Sequence, residues 1–251
     1  MIKIVIIGAG NVAQHLLSAF FESKTVVVKQ IFSRTPKTIL NVKTIRINNF
    51  ETIENADLYI ISVSDDAIEA ILTQLPFKNR LVATTSAVFD PKGVAQNNRI
   101  GTFYPLQSFS KNKEIDFSSI PICIEAQDQE DIDLLQTVAQ TISKTVCKLT
   151  LLQRKNLHLA AVFANNFVNL MYQISQDICQ SNQLPFALLQ PLILETAQKV
   201  AQISPQAAQT GPAKRQDMST IEAHQKLIDD PTYQKIYALL TQTIIANANK
   251  L

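Results

Sequence analysis

The stretch Met1–Phe21, MIKIVIIGAGNVAQHLLSAFF, decides the fold. Its first part, Ile2–Ile7, is an apolar run interrupted only by Lys3, which is typical of a strand in a parallel sheet covered on both faces. A glycine turn follows at Gly8-Ala9-Gly10, and apolar residues then recur at helical spacing. The sequence therefore predicts a strand, a tight turn and a helix in immediate succession.

This turn fits the dinucleotide-binding pattern GxGxxA. Gly8 permits the tight turn, Gly10 lets the backbone approach a pyrophosphate, and Ala13 leaves room for close packing of helix and strand. The helix N-terminus then faces the anion. The alternatives are an ordinary βα turn, which needs glycine only for its backbone angles, and an S-adenosylmethionine site. We predict a dinucleotide site formed by Gly8, Ala9, Gly10, Asn11 and Val12.

The end of the second predicted strand, Thr25–Phe32, indicates which dinucleotide is bound. An NAD site places an acid there for the ribose 2′-hydroxyl, whereas a 2′-phosphate requires a cation and hydroxyl donors. Ser33, Arg34 and Thr35 occupy this place, with Lys37 close behind, and no acid is present. We therefore predict NADP over NAD, and S-adenosylmethionine is disfavoured for the same reason. The alternative is that Arg34 is a solvated loop cation.

Further strands are predicted along the first 150 residues. A short third strand is placed at Val42–Ile47, and the others at Ala56–Val63, Leu81–Thr85, Arg99–Phe103, Ile120–Glu125 and Thr145–Leu149. Val63 and Ser64 close one of these strands, and we expect them beside the cofactor because ligands bind at the carboxyl ends of parallel strands. Ser64 is also a predicted helix N-cap, and the acids that follow it suit the helix dipole better than catalysis.

The second part of the chain has a different pattern. No strand is predicted after Thr150, and helices are expected at roughly 151–181, 185–203, 217–229 and 231–249. The predicted fold class is α/β, with a Rossmann-type parallel sheet domain over residues 1–150. A smaller all-α domain over residues 151–251 follows it, with expected roles in substrate binding and dimerisation.

Composition limits the partners and the compartment. The net charge is +2 and the basic residues are scattered, so nucleic acid is not a predicted partner. No apolar run has the length of a membrane span or a signal-peptide core, which predicts a cytoplasmic protein without a membrane partner. Cys123, Cys147 and Cys179 are far apart in the sequence, which favours buried thiols over disulfides or a metal site.

A polar stripe follows the predicted helix 151–181, whose remaining circumference is apolar, as in a central helix. Its members are Lys155, His158, Asn165, Asn166, Asn169, Gln173 and Gln176. Amides and a histidine suit a polar cleft, although a glutamine-rich chain can also place amides on its surface. We predict His158, Lys155 and Asn165 as catalytic and Asn169 as substrate-binding. Arg215, in TGPAKRQD, is the predicted ligand for a substrate anion.

Five segments together resemble one family of Rossmann-like proteins with a helical C-terminal domain. They are GAGNVA at 8–13, ADLYIISVSDDAI at 56–68, YPLQSF at 104–109, LHLAAVFANNF at 157–167 and TGPAKRQD at 210–217. The family is related to pyrroline-5-carboxylate reductase, ketopantoate reductase and 6-phosphogluconate dehydrogenase. The resemblance implies a nicotinamide cofactor, a helical domain that often forms a homodimer, and a site in the cleft between the domains.

Two histidines of the family pattern are missing from this chain. HTSG is replaced by Thr84-Thr85-Ser86-Ala87, and HPLQSF begins with Tyr104. An acid-base role of those histidines cannot be transferred, which increases the weight on His158 and makes Tyr104 a candidate substitute at the substrate. The first function hypothesis is an NADP-dependent oxidoreductase that moves a hydride to or from a small C=O or C=N compound. The second is a non-catalytic dinucleotide-binding or sensing module.

Overall fold

The computed structural model describes residues 1–35, 38–39, 42–43, 45–46, 50–94, 97–111 and 113–248. The chain forms two compact units, Met1–Phe163 and Ala164–Leu251. The first unit contains the sheet. The second is helical.

Within the described ranges, eight strands form one sheet in the order β10-β9-β8-β7-β6-β1-β2-β5, and β3 pairs with β4 in a separate hairpin. Neighbours in the large sheet are parallel except β8 and β9, which are antiparallel. The strands are β1 Ile2–Ile7, β2 Val26–Ser33, β3 Thr38–Ile39, β4 Val42–Lys43, β5 Ile45–Arg46, β6 Leu58–Ile61, β7 Leu81–Thr84, β8 Arg99–Pro105, β9 Ile122–Glu125 and β10 Val146–Lys148.

Helices cover the sheet and form the second unit. The α-helices are α1 Asn11–Phe21, α2 Asp65–Gln74, α3 Gln129–Gln140, α4 Leu151–Ala161, α5 Val168–Ser181, α6 Gln190–Gln202, α7 Pro205–Ala208, α8 Pro212–Arg215, α9 Met218–Lys226 and α10 Pro231–Ala248. Between α4 and α5 the chain forms a π-helix, Val162–Phe167, and 3₁₀ turns occur at Phe50–Thr52, Phe117–Ser119 and Phe186–Leu189.

The core of the first unit has two layers, one on each face of the sheet. Along β1, Ile4 and Ile6 pack in the layer with α1, while Val5 and Ile7 pack in the layer with α2. Successive side chains of a strand point to opposite faces, so an uninterrupted apolar strand requires cover on both. The predicted Rossmann-type architecture with a helical C-terminal part is confirmed.

Three details differ from the predicted elements. The strand expected at Val42–Ile47 is divided between β4, which forms a hairpin with β3, and β5, which joins the sheet beside β2; Thr44, Ile47 and Lys37 lie outside the described residues. β9 runs against β8, so the sheet is not wholly parallel. The helix expected over 151–181 contains the π-helical segment, which inserts a wider turn into the α-helical hydrogen-bond pattern.

Candidate functional site

The carboxyl ends of β1, β2, β6, β7 and β8 lie at one edge of the sheet, here called the carboxyl edge. Backbone hydrogen bonds extend the ladder just beyond the strands: Ser62 N–H donates to Ile7 O at 2.7 Å, and Thr85 N–H donates to Ile61 O at 3.0 Å. Register places Thr102 of β8 beside Thr84 of β7. Ligands of open α/β sheets bind outside such an edge.

Gly8 and Gly10 have different roles in the turn at this edge. Gly8 has φ +126°, and a Cβ on it would lie 1.9 Å from the carbonyl oxygen of Ser62. Any larger residue would therefore clash with the backbone that follows β6. Gly10 precedes α1 with φ −73°, and a Cβ on it would meet no atom within 4 Å. The space beside Gly10 fits the approach of a pyrophosphate to the helix N-terminus.

The predicted cofactor residues on α1 contribute in different ways. The Asn11 side chain donates from Nδ2 to the carbonyl of Phe109 at 3.0 Å, so it holds the loop after β8. His15, one turn later, approaches the carbonyl of Ser110 through Nε2 at 3.0 Å. Val12 is half-buried and packs against the core. The helix can therefore offer an anion its first backbone N–H groups, which have no partner inside an α-helix.

The end of β2 has the polar character expected of a 2′-phosphate site. The Ser33 hydroxyl is buried and donates to Thr35 O at 2.6 Å, which shapes a tight turn. Arg34 and Thr35 are exposed at that turn. A guanidinium and a hydroxyl in this position are suitable ligands for a phosphate.

A tyrosine and a histidine meet at the end of β8. The Tyr104 hydroxyl lies 3.2 Å from Nδ1 of His158 on α4, with the rings edge to face. Burial raises the pKa of Tyr104 to about 12, so its hydroxyl is neutral in the physiological range. Depending on the histidine tautomer, the tyrosine donates to Nδ1 or accepts from it. In either arrangement the pair has one more N–H or O–H proton besides the one in this contact.

One turn before His158, Arg154 is almost completely enclosed, with 2% of its surface exposed. Its Nη2 lies 3.2 Å from Oε2 of Glu125, and its Nη1 donates to Oγ1 of Thr102 at 3.3 Å. Burial lowers the pKa of Arg154, and the carboxylate of Glu125 opposes this. We did not predict either residue from the sequence. Helical spacing places Arg154 on the side of α4 that carries His158, because positions four apart differ by about 40° around the axis, but it does not indicate that the guanidinium is buried.

The other predicted site residues are distributed over both units. Lys155 is exposed on α4, and Val63 and Ser64 follow β6 at the carboxyl edge. Ser64 takes the N-cap position of α2 in an extended conformation, without a capping hydrogen bond from its side chain. Asn165, in the π-helix, and Asn169 and Arg215 belong to the second unit and are exposed. Only His158 and Tyr104 are brought together among the predicted catalytic and substrate residues in the first unit.

Among the described residues, no group of three or more His, Cys, Asp or Glu side chains could hold a metal ion. No described helix combines the length and the apolar character needed to cross a bilayer.

Comparison with known proteins places the two parts of the chain in two family models. Residues 3–87 match a family described as NADP oxidoreductase, coenzyme F420-dependent. Residues 120–244 match a domain of unknown function, DUF2520. No curated protein sequence matches the chain.

A solved structure from Bacteroides fragilis, described as a candidate NADP oxidoreductase, is 37% identical to this chain, with 98% of each chain covered and a TM-score of 0.85. The chain belongs to this NADP oxidoreductase family. The resemblance predicted from the sequence is thus confirmed, as is NADP as the cofactor class of the family.

More distant members of the same fold include two reductases. A 1-pyrroline-5-carboxylate reductase from Streptococcus pyogenes is 14% identical, with 100% of this chain and 99% of that chain covered and a TM-score of 0.63. A Plasmodium falciparum pyrroline carboxylate reductase with NADP bound is 12% identical, with 98% and 97% covered and a TM-score of 0.59. At this sequence identity the similarity shows a shared fold alone.

Proposed function

We propose that the protein transfers a hydride between NADP and a small C=O or C=N compound, with Tyr104 and His158 as its proton-transfer pair. The observation on which this depends is the 3.2 Å contact between the tyrosine hydroxyl and the histidine Nδ1. It joins a strand end at the carboxyl edge to a helix of the same unit. A dinucleotide-binding module without chemistry has no need of such a pair.

The described residues fit NADP at three points. The space beside Gly10 accepts a pyrophosphate, and the N-terminus of α1 favours its negative charge. Arg34 and Thr35 are exposed where the 2′-phosphate would lie. When bound, NADPH supplies the hydride, which is chemistry that the side chains cannot provide.

The protein has to supply a proton to the oxygen or nitrogen that receives negative charge. Tyr104 retains its proton because burial disfavours the phenolate. When His158 carries both ring protons, it can donate from Nδ1 to the tyrosine oxygen while the tyrosine hydroxyl proton moves to the substrate. The pair then ends as a neutral histidine and a neutral tyrosine, with one proton delivered, and water returns a proton to the imidazole.

Four further residues keep their predicted roles as part of this proposal. Lys155 would share proton transfer or orient the substrate oxygen. Asn165 would hydrogen-bond the substrate or the nicotinamide amide, and Asn169 would hydrogen-bond the substrate. Arg215 would hold an anionic group of the substrate, because its guanidinium matches a carboxylate or phosphate in two places.

A screen of thermal shifts with NADPH, followed by NADPH oxidation with small keto acids and cyclic imines, tests the function. We expect His158→Ala to lower kcat by roughly 10² to 10⁴, the usual contribution of a positioned general acid, with nearly unchanged NADPH affinity. His224→Ala is the matched control, because His224 lies in the second unit and pairs with Tyr237 there. Binding of NADPH without turnover of any compound would favour the sensing module.

We also propose a homodimer and a cytoplasmic location. The second unit leaves many large apolar side chains exposed, including several above 60% on α6 and α10 (Leu192, Leu194 and Leu239). Apolar surface of that extent usually marks an interface.

All three cysteines are free thiols, although Cys123 and Cys147 are paired in register on neighbouring strands. Free thiols suit a reducing compartment.

A further inference from the structure

Helix α4 lies along β8, and two residues one turn apart on the helix contact two residues that are two positions apart on the strand. Arg154 contacts Thr102, and His158 contacts Tyr104. Four residues of helix advance about 6 Å and two residues of strand about 6.6 Å, so the two contacts are compatible with one alignment. A displacement of the helix along its axis would break both contacts.

Glu125 fixes that alignment from the neighbouring strand. It is opposite Thr102 in the β8–β9 ladder. Its Oε1 accepts from Leu151 N–H at 2.9 Å, in the first turn of α4, while Oε2 lies 3.2 Å from Arg154 Nη2. One carboxylate thus holds the start of the helix and the arginine one turn later. Arg154 also reaches the carbonyl of Phe89, at 3.4 Å, in the loop after β7.

Stability alone gives a weak reason for this arrangement. The Arg154 side chain is 2% exposed and the Glu125 side chain 33%, so the guanidinium loses its water while the carboxylate keeps part of its own. An ion pair that buries a charge is often no more stabilising than apolar residues of similar volume. The Nε–H of Arg154 is buried and has no hydrogen-bond partner in the described part of the chain, which adds to the cost. Buried charges of this kind are best known for fixing one register among several.

We propose that Arg154 and Glu125 are positioning residues, which hold α4 on β8 in the one register that brings His158 Nδ1 to the Tyr104 hydroxyl. The inference rests on the proposed function for its catalytic consequence. The positioning itself is a property of the folded protein and can be measured without a substrate.

The test uses the ring resonances of the three histidines, His15, His158 and His224. In the NADPH-bound protein, Arg154→Met should move the His158 resonance to the position seen in Tyr104→Phe, where the contact is lost, and leave the other two in place. Turnover should fall about 10²-fold, as for a misplacement of about 1 Å, with KM for NADPH unchanged. Arg154→Lys should return the His158 resonance part of the way to its wild-type position and restore part of the turnover.

Arg99→Met is the matched control. Arg99 forms a two-point ion pair with the buried Asp131, at 2.8 and 3.0 Å, and thus stabilises the same sheet without a described contact to α4. It should lower the free energy of unfolding but leave the His158 resonance and kcat unchanged. An effect on His158 as large as that of Arg154→Met would show that general loss of stability is responsible, and would overturn the proposal.

If Arg154→Met does not fold, Glu125→Gln decides the matter, since glutamine keeps an oxygen for Leu151 N–H and removes the charge. An unmoved His158 resonance in that variant, or in folded Arg154→Met, overturns the positioning role. If the His158 resonance moves in these variants while the wild type turns over no carbonyl or imine, the positioning role is supported and only the proposed function is contradicted.

Discussion

Tyr104 should make the stability of the protein depend on pH in the alkaline range, because its pKa is about 12 in the folded chain and 10 in an exposed tyrosine. The folded state holds this proton more tightly than the unfolded state, so the contribution is complete below pH 10 and is lost as the pH rises to about 12. We expect the free energy of unfolding to fall by on the order of 2 kcal/mol more in wild type than in Tyr104→Phe over this interval. Denaturant titrations at fixed pH measure it, and parallel profiles would contradict it.

Arg34 is the residue expected to select NADP. A desolvated charge-assisted contact with the 2′-phosphate contributes roughly 1.5 to 3 kcal/mol, so Arg34→Ala should weaken NADPH binding by about one to two decades and leave NADH binding unchanged. Fluorescence titration of both nucleotides measures this. Arg80→Ala is a matched control, because Arg80 is exposed and precedes β7, at the opposite edge of the sheet. Equal affinity of the wild type for both nucleotides would exclude the phosphate role.

Single residues could be predicted where one position had one physical requirement. The tight turn requires glycine at position 8, where φ is +126°. A family pattern and a helical stripe indicated Tyr104 and His158, whose roles in the site stay predictions. Arg154 was missed because a long cationic side chain is normally solvated, and only the path of α4 over β8 encloses it. The hydrogen bond from the Asn11 side chain to the loop after β8 was not predicted, because it depends on contacts distant in sequence, and the assignment of Asn11 to the cofactor stays a prediction.

At the level of elements, the glycine turn separates two kinds of damage. Gly10→Val should abolish NADPH binding while the protein stays folded, because a Cβ at this position meets no protein atom within 4 Å and the backbone angle is ordinary. Because Gly10 is the N-cap of α1, the substitution should lower the free energy of unfolding by no more than about 1 kcal/mol. Gly8→Ala should instead destabilise the fold, because its Cβ would meet the Ser62 carbonyl.

Thermal unfolding with and without NADPH distinguishes the two variants. For Gly10→Val we expect a melting temperature near that of the wild type which NADPH no longer raises. For Gly8→Ala we expect a clearly lower melting temperature without ligand. A normal NADPH response in Gly10→Val would show that the pyrophosphate does not approach this turn.

Element boundaries were predicted best for long patterns and worst for short ones. The β1 run was placed residue for residue, since buried parallel strands are continuous apolar segments. The Val42–Ile47 run is too short for periodicity to distinguish a sheet strand from a hairpin. The π-helix at Val162–Phe167 has the same local composition as the α-helix around it, so no pattern in the sequence indicates it.

For the whole molecule we predict a homodimer through the second unit. Leu192→Glu or Leu239→Glu should convert it to a monomer, because each places a charge on a strongly exposed apolar position. Light scattering at micromolar concentration gives the mass. Lys226→Glu, exposed at the end of α9, is the control and should remain dimeric. A monomeric wild type at that concentration would refute the prediction.

The sequence indicated the change from an α/β to an all-α pattern after residue 150, because alternation of strand and helix visibly ends there. It did not indicate that β9 reverses direction, since the pairing of strands depends on the route of the loop between β8 and β9. A fold predicted from elements in order is therefore secure in its layers and less secure in the direction of its last strands.

That reversal determines where the chain goes after it leaves the sheet. β9 and β10 run away from the carboxyl edge, so the chain leaves the sheet at the opposite edge and α4 runs back toward the carboxyl edge. Had both strands followed β8 in parallel, the same helix would begin at the carboxyl edge and move away from it with each turn, taking His158 with it. The direction of β9 and β10 thus decides whether His158, on the helix that follows them, lies beside Tyr104.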